Sequence, residues 1–287
     1  MGTGWSEWPL VLFTVLSQCV IGGFVVMAWA LGRSEQDAAQ VRALHWQMLY
    51  LWLMMGIAFS ASILHLGIPL RALNALNQLG TSPLSMEIAS GSLFFALGGL
   101  YWLLAMLDKL SPSIRQGWLA VTGLVGAVFL YAMCRVYTIE TVPTWDTPYT
   151  ALSFLLTALL GGSLLGYLLL HAAGASISGA LRLLPAVALC ALVASCVFGF
   201  GQLASLGQIQ SSVQHAETLV PDIGTLTGIR LILLSMGLAC WLVPLLKAKT
   251  PSVGWMMAGF MLVLAGELLG RSLFYGLHMT VGMAYGS

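Results

Sequence analysis

Charged side chains are scarce in this protein: Asp, Glu, Lys and Arg together make up 7% of its 287 residues. A soluble domain typically contains about 25% of such residues, so the composition excludes a soluble globular protein. Hydrophobic residues reach 59%, and the net charge of +1 comes with no basic run, which excludes a nucleic-acid-binding surface. The composition predicts an integral membrane protein.

Several motif classes are missing as well. No Cys-x-x-Cys pair is present that could bind zinc or an iron–sulfur cluster. No histidine lies in the middle of an apolar run, where haem ligands would face each other, so we expect no haem. Phosphate-binding loops and Ser/His/Asp triads are also absent. We therefore predict no metal in this protein, and we expect all five cysteines to be buried thiols: Cys19, Cys134, Cys190, Cys196 and Cys240.

Apolar runs fill most of the sequence, and eight of them are long enough to cross the roughly 30 Å hydrocarbon core of a bilayer. The first run is followed, not preceded, by basic residues, unlike a secretory signal, so we expect it to be retained. No internal repeat is evident. We predict a single all-α domain over 1–287, an integral membrane bundle of eight transmembrane helices at about 9–31, 45–66, 87–107, 117–137, 150–172, 182–206, 225–247 and 253–275.

Two further features predict how the helices are arranged. Small residues spaced four apart, Gly162/Gly166 and Gly266/Gly270, indicate close helix packing. Basic residues concentrate at the odd-numbered connections, and the positive-inside rule then puts both termini on the outer, periplasmic side. These basic residues are Arg33, Arg42, Lys109, Arg115, Arg182, Lys247 and Lys249.

Two charges, Glu267 and Arg271, lie inside the last apolar run. Ionisable groups at such depth cost several kcal/mol unless they are paired or face a cavity, so they mark a candidate functional site. Together with Tyr275 and His278 they form one polar stripe along a helix. The rise of 1.5 Å per residue puts Glu267 about 12 Å below Tyr275. The structural alternative is an ion pair between Glu267 and Arg271 that only ties helices together.

His65 and Glu87 are predicted to lie at similar depth near the outer surface, at the end of the second helix and the start of the third. Quinol oxidation needs such a pair at an apolar boundary: one group accepts a hydroxyl proton, and the other orients the acceptor or passes the proton on. The alternative is that His65 only caps its helix and Glu87 sits in a first turn, where the helix dipole favours a negative charge.

Several motifs resemble one known family from end to end of the sequence. They are Trp5-x-Glu7-Trp8-Pro9, His65-Leu-Gly67-x-Pro69-x-Arg71, Glu87-Ile-Ala-Ser-Gly91, Thr141-Val-Pro143-Thr-Trp145, Ser211-Ser-Val-Gln214 and Gly266-Glu267-x-x-Gly270-Arg271-x-x-Phe274-Tyr275-Gly-Leu-His278. The sequence closely resembles the membrane anchor subunit of bacterial dimethyl sulfoxide reductases.

This resemblance implies a haem-free anchor in the bacterial inner membrane that oxidises menaquinol, its substrate, but does not itself reduce the oxide. Electrons would pass to an iron–sulfur subunit and then to a molybdopterin subunit on the periplasmic face, and those partners would hold the clusters and the molybdopterin. Family residues matching His65 and Glu87 are implicated in quinol binding. The predicted quinol site is His65, Glu87, Arg71 and Gly67, with Glu267, Arg271, Tyr275 and His278 as a supporting polar stripe.

Two other functions stay open. A secondary transporter could bind its substrate at Glu267 and Arg271; such proteins commonly show internal repeats and helices broken near the midplane, and the sequence shows neither. A purely structural anchor would tether a reductase without binding quinol, but it gives no reason for a glutamate inside the membrane.

Overall fold

A computed structural model of the protein describes residues 3–32, 37–65, 74, 76–210, 215–247 and 249–279, with the backbone alone for Thr3 and His65. Within these residues the protein contains eight α-helices and no strand, and every helix is long and apolar enough to cross a membrane. The predicted all-α bundle is therefore confirmed. The helices are α1 (Trp8–Leu31), α2 (Ala38–His65), α3 (Pro83–Met106), α4 (Pro112–Tyr137), α5 (Pro148–Ala172), α6 (Leu184–Leu206), α7 (Ile223–Leu246) and α8 (Val253–Gly276).

Three helices begin four or more residues before their apolar runs. The second starts at Ala38 instead of 45, because the Asp37 carboxylate accepts a hydrogen bond of 2.6 Å from the Gln40 backbone N–H. The third and fourth start at Pro83 and Pro112, and proline is well suited to the first turn of a helix. Counting apolar residues misses these polar first turns.

The centre of the bundle is the pair α1 and α5. In each of these two helices, 78% of the most apolar stretch is buried inside the protein, against 17–33% in the other six helices described. Their backbones touch, because a Cβ atom added to Gly162 would lie 2.5 Å from the Gly22 Cα atom. The other predicted glycines also pack closely: Gly166 against Val26, Gly266 against Leu234, and Gly270 against Arg230. The predicted close packing at both glycine pairs is confirmed.

The eight helices form two halves that pack alike, which corrects the expectation of no internal repeat. In the first half, α1 packs against α2 and α4, and α3 against α4; in the second, α5 packs against α6 and α8, and α7 against α8. Contacts repeat at a fixed offset: Gly126 meets Phe94, and Gly266 meets Leu234, 140 residues further on in both cases (126 to 266, 94 to 234). The repeat lies in the geometry, and residue types at matching positions differ, so sequence inspection misses it.

Hydrogen bonds between segments identify one end of the bundle. At one end, here called the terminal end, the Thr144 hydroxyl donates to the Leu277 carbonyl at 2.6 Å and the Trp145 indole N–H to the Phe274 carbonyl at 2.8 Å. The short 3-10 helix Thr3–Glu7 lies against α8 at this same end. Both ends of the described structure, residues 3 and 279, therefore lie on one side of the bundle.

The cysteines are less uniformly buried than predicted. Cys19 is buried on the central helix α1, but Cys190 on α6 is exposed, and the other three are half-buried. The expectation of five buried thiols is wrong for Cys190, because α6 is a peripheral helix with most of its surface directed away from the protein.

Candidate functional site

The polar stripe on α8 is buried along most of its length. Glu267, Arg271 and Tyr275 are 2%, 4% and 3% exposed, respectively. His278 lies beyond the end of α8 and is exposed, with its ring centroid 4.7 Å from that of Trp145. The structure therefore brings three members of the predicted stripe into the protein interior and leaves the fourth at the surface of the terminal end.

The carboxylate of Glu267 is held by two neighbouring helices. Arg230 on α7 donates from Nη2 to Oε2 at 3.3 Å, and the Thr157 hydroxyl on α5 donates to the same oxygen at 2.8 Å. The suggested ion pair between Glu267 and Arg271 does not form; neighbours four apart on one helix were the nearest candidates in sequence, but tertiary packing brings Arg230 to the carboxylate. Glycine at position 270 makes this possible, since a Cβ atom there would collide with the Arg230 guanidinium.

Arg271 has no carboxylate partner among the described residues. Its Nη2 donates to the Gln18 side-chain oxygen at 2.8 Å, and its Cζ lies 3.6 Å from the centroid of the Phe154 ring, a cation–π distance. Its Nε and Nη1 are buried with no hydrogen-bond acceptor in the part of the protein that the structure describes. This guanidinium is therefore a buried cation whose hydrogen-bonding groups are only partly satisfied by the described residues.

A tyrosine pair joins the stripe to the first half of the molecule. The Tyr275 hydroxyl donates to the Tyr137 hydroxyl on α4 at 2.6 Å, and both rings are buried. The stripe on α8 and the residues that contact it thus form one polar region that reaches α4.

Glu87 lies on the second turn of α3, and no acidic residue occupies the first turn of that helix. Glu87 is 4% exposed, and its Oε1 has no hydrogen-bond partner within the residues that the structure describes. The alternative of an exposed first-turn glutamate interacting with the helix dipole is therefore wrong. A buried carboxyl oxygen without a partner is costly to keep and is a candidate ligand-binding atom.

An aromatic cluster lies one helical turn below Glu87, at the centre of α1 to α4. The cluster packs against Gly91, where an added Cβ atom would collide with Phe129 and lie close to Phe59. Ring centroids are 5.6 to 6.5 Å apart between Phe59 and its neighbours in the cluster, which consists of Phe13, Phe59, Phe95 and Phe129. A carboxyl group above planar apolar side chains suits a ring that carries a hydroxyl group.

The structure describes no side chain for the remaining predicted quinol-site residues. His65 is the last residue of α2, so its backbone lies at the same end of the bundle as Glu87, but its side chain is not described. Gly67 and Arg71 lie outside the described residues. Their assignment to the site stays a prediction.

Sequence reasoning missed four residues that complete this polar region: Gln18, Tyr137, Thr157 and Arg230. Arg230 carried a usable signal, because it is a charge inside an apolar run. The other three are uncharged and lie on different helices from their partners, so only the packing of α1, α4 and α5 against α8 identifies them.

In the part of the protein that the structure describes, eight helices long and apolar enough to cross a membrane surround buried charged groups, which defines a polytopic membrane protein with an intramembrane polar site. Residues 1–277 match the family described as DMSO reductase anchor subunit (DmsC). The protein belongs to this family, as the motifs in its sequence indicated.

Three relatives are similar over their whole length. The sequence is 54% identical to the C subunit of the anaerobic dimethyl sulfoxide reductase of Escherichia coli (strain K12), and the alignment covers 100% of both proteins. It is 47% identical to the anaerobic dimethyl sulfoxide reductase subunit YnfH of the same organism, with 99% of both covered. It is 40% identical to the C subunit of the anaerobic dimethyl sulfoxide reductase of Haemophilus influenzae, with 100% of both covered. The protein is therefore a multi-pass membrane protein of an anchor-subunit family.

Proposed function

We propose that this protein is the quinol-oxidising membrane anchor of an anaerobic dimethyl sulfoxide reductase-type complex, with menaquinol as its substrate. The observation that carries the proposal is the buried Glu87 carboxyl group, whose Oε1 has no partner among the described residues and which lies above the aromatic cluster. The full-length similarity to the C subunits of two reductases supports the reductase as the electron acceptor.

In this proposal the quinol ring lies at the aromatic cluster with one hydroxyl group against Glu87. The two-electron oxidation of a quinol releases two protons. Glu87 and His65 each accept one of them as general bases. Arg71 stabilises the negative charge that develops as the first proton leaves, and Gly67 lets the backbone approach the ring closely. The two electrons pass to an iron–sulfur subunit and then to a molybdopterin subunit.

The same proposal puts the terminal end on the periplasmic side of the bacterial inner membrane. Basic residues gather at the opposite end, in the connections that the positive-inside rule assigns to the cytoplasm. The electron-transfer partner would then dock on the terminal end, at the connections 67–86, 138–149 and 207–224. Docking there brings the iron–sulfur cluster of the partner close to Glu87, which shortens the distance that the electrons must travel.

Of the two arguments against the transporter alternative, one no longer holds and the other does. The two halves of the bundle do repeat, so the absence of a repeat no longer counts against a transporter. However, each described helix is continuous through the bundle, whereas transporter sites commonly lie at broken helices. A purely structural anchor leaves the burial of Glu87 without a reason.

The test compares quinol-driven and dye-driven turnover of the whole complex. Because a positioned acid–base group is worth roughly 10²- to 10⁴-fold in rate, Glu87→Gln and His65→Ala should each lower menaquinol-dependent reduction at least 100-fold. An artificial dye that donates electrons directly to the soluble subunits should still support full turnover. The matched control is Asp108→Asn, which changes an exposed carboxylate at the opposite end of the bundle, away from the proposed docking surface. Wild-type quinol turnover in both site variants would show that the protein is an anchor without a quinol site.

A further inference from the structure

A second polar site lies in the other half of the molecule, in a cavity of about 40 Å³ enclosed by α5 to α8. Polar side chains from all four helices line it, namely Ser153, Thr157, Gln202, Thr227, Arg230, Glu267 and Arg271. The cavity continues along α8 to Leu277 at the terminal end. The cavity does not include Glu87, which lies on α3 in the first half of the molecule.

The cavity occupies the place in the second half that the proposed quinol site occupies in the first. At the offset of 140 residues, Phe13, Phe59 and Glu87 correspond to Ser153, Gly199 and Thr227, and all three of these line the cavity. Two aromatic rings are thus replaced by a serine and a glycine, which leaves space. The carboxylate is replaced by a neutral hydroxyl.

The charge at this position is also reversed. Glu267 is the one acidic residue among the described residues that line the cavity, and two guanidinium groups, Arg230 and Arg271, line it as well. Arg230 pairs with Glu267, whereas the acceptor of Arg271 is the neutral Gln18. Two positive groups against one carboxylate leave one net positive charge. Uncompensated charge is costly inside a membrane protein, so the site as described favours a bound counter-ion.

We propose that this cavity binds a small monovalent anion of the size of chloride. The anion lies between the two guanidinium groups and accepts hydrogen bonds from neighbouring hydroxyl and amide donors. The volume admits about three water molecules, which suffices for a hydrated halide and is too small for a quinol ring. Arginine does not release its proton in proteins, so this site is poorly suited to relay protons. The proposal does not depend on quinol oxidation.

The test is a halide-dependent change in thermal stability of the full-length protein purified in detergent. Unfolding is compared in chloride, bromide and gluconate at equal ionic strength. At a halide concentration ten times the dissociation constant, the midpoint should rise by about 3 to 5 °C over that in gluconate. Bromide should give the same rise, and its anomalous scattering should place it between Arg230 and Arg271.

Three variants test the charge balance. Arg271→Gln removes the excess positive charge and should abolish the halide effect. Glu267→Gln leaves both guanidinium groups without a carboxylate and should enlarge it. Arg135→Gln, which changes an exposed arginine on α4, should leave the wild-type shift unchanged. If Arg271→Gln does not fold, the other two variants still decide the question. The halide-induced shift of Glu267→Gln should then exceed the shifts of the wild type and of Arg135→Gln.

Equal midpoints in halide and gluconate would overturn the proposal, because the cavity would then hold water alone. A halide effect of the same size in all three variants would also overturn it, since the effect would then be unrelated to the cavity. A midpoint that responds to a quinol analogue, but not to halide, in an Arg271-dependent way would show that the site binds a ring instead.

Discussion

At the scale of single residues, the protein is marked by buried charged groups that are only partly balanced. Glu267 accepts from two other helices at its Oε2, but its Oε1, the Nε of Arg271 and the Oε1 of Glu87 have no partner within the described residues. A buried polar atom without a partner costs about 1–3 kcal/mol, and more when it is charged. An unpartnered buried atom of this kind is a candidate ligand-binding group, which is why Glu87 and Arg271 carry the quinol and anion proposals.

We predict that Arg230→Gln destabilises the folded protein by about 3–5 kcal/mol. The substitution leaves the Glu267 carboxylate buried with the Thr157 hydroxyl as its remaining donor, and removing one partner of a buried ion pair strands the other charge. The measurement is the free energy of unfolding in mixed micelles, followed by circular dichroism.

The control for this prediction is Arg42→Gln. Arg42 and Asp108 also form an ion pair, at 3.9 Å, but their side chains are 63% and 80% exposed. Exposed pairs contribute at most about 1 kcal/mol, so this variant should be close to wild type. Equal effects of the two substitutions would mean that Arg230 and Glu267 do not form a buried pair.

At the scale of helices, close contacts at glycine determine which helices can meet. Gly22 and Gly162 bring α1 and α5 together at the centre, and Gly270 lets the Arg230 side chain pass over the backbone of α8. The second contact matters for the polar site as well as for packing, because it brings the guanidinium to Glu267. Small residues are the usual means of close approach in membrane bundles.

We expect Gly270→Ala to lower the free energy of unfolding by about 1–3 kcal/mol. The added methyl group collides with the Arg230 guanidinium, as does any side chain that overfills a packed interface. The matched control on the neighbouring helix is Gly228→Ala, whose Cβ atom meets nothing within 4 Å. There, alanine should be neutral or stabilise by about 0.5–1 kcal/mol through its higher helix propensity. A destabilising Gly228→Ala and a neutral Gly270→Ala would contradict the packing described.

At the scale of the whole molecule, the two repeated halves differ in the sites that they enclose. The first half surrounds a carboxylate and aromatic rings, and the second surrounds guanidinium groups and a cavity. The cavity reaches the terminal end at Leu277, where residues 3 and 279 also lie, and Glu87 lies on the second turn of α3, near the same end. This shared end is the surface that we assign to the partner subunit and to the periplasm.

The assignment of that end is tested by labelling of single cysteines in a protein whose native cysteines are replaced by alanine. Thr141→Cys, exposed at the terminal end, should react with a membrane-impermeant maleimide in spheroplasts and should be protected when the partner subunits are produced with it. Ser113→Cys, exposed at the opposite end, should react only after lysis. The reverse pattern of accessibility would place the terminal end in the cytoplasm, and unchanged labelling with partners present would move the docking surface elsewhere.

The sequence alone determines the number of helices, their approximate bounds and the depth of the charged residues. Each of these depends on local composition, since a membrane span must be apolar over about 20 residues whatever its neighbours are. Glu267 and Arg271 can therefore be identified as candidates without a structure. The family resemblance is likewise a property of motifs along the sequence, and the match over residues 1–277 confirms it.

Only the tertiary structure decided which groups meet. Arg230 and Glu267 are 37 residues apart and lie on different helices, so their pairing follows from the packing of α7 on α8 and not from spacing along one helix. The repeat of the two halves was hidden for a related reason: helices can pack in the same way through different apolar residues, such as Phe94 and Leu234. A packing position inside the bundle requires only an apolar side chain that fills the space, so the geometry can persist where the residue types do not.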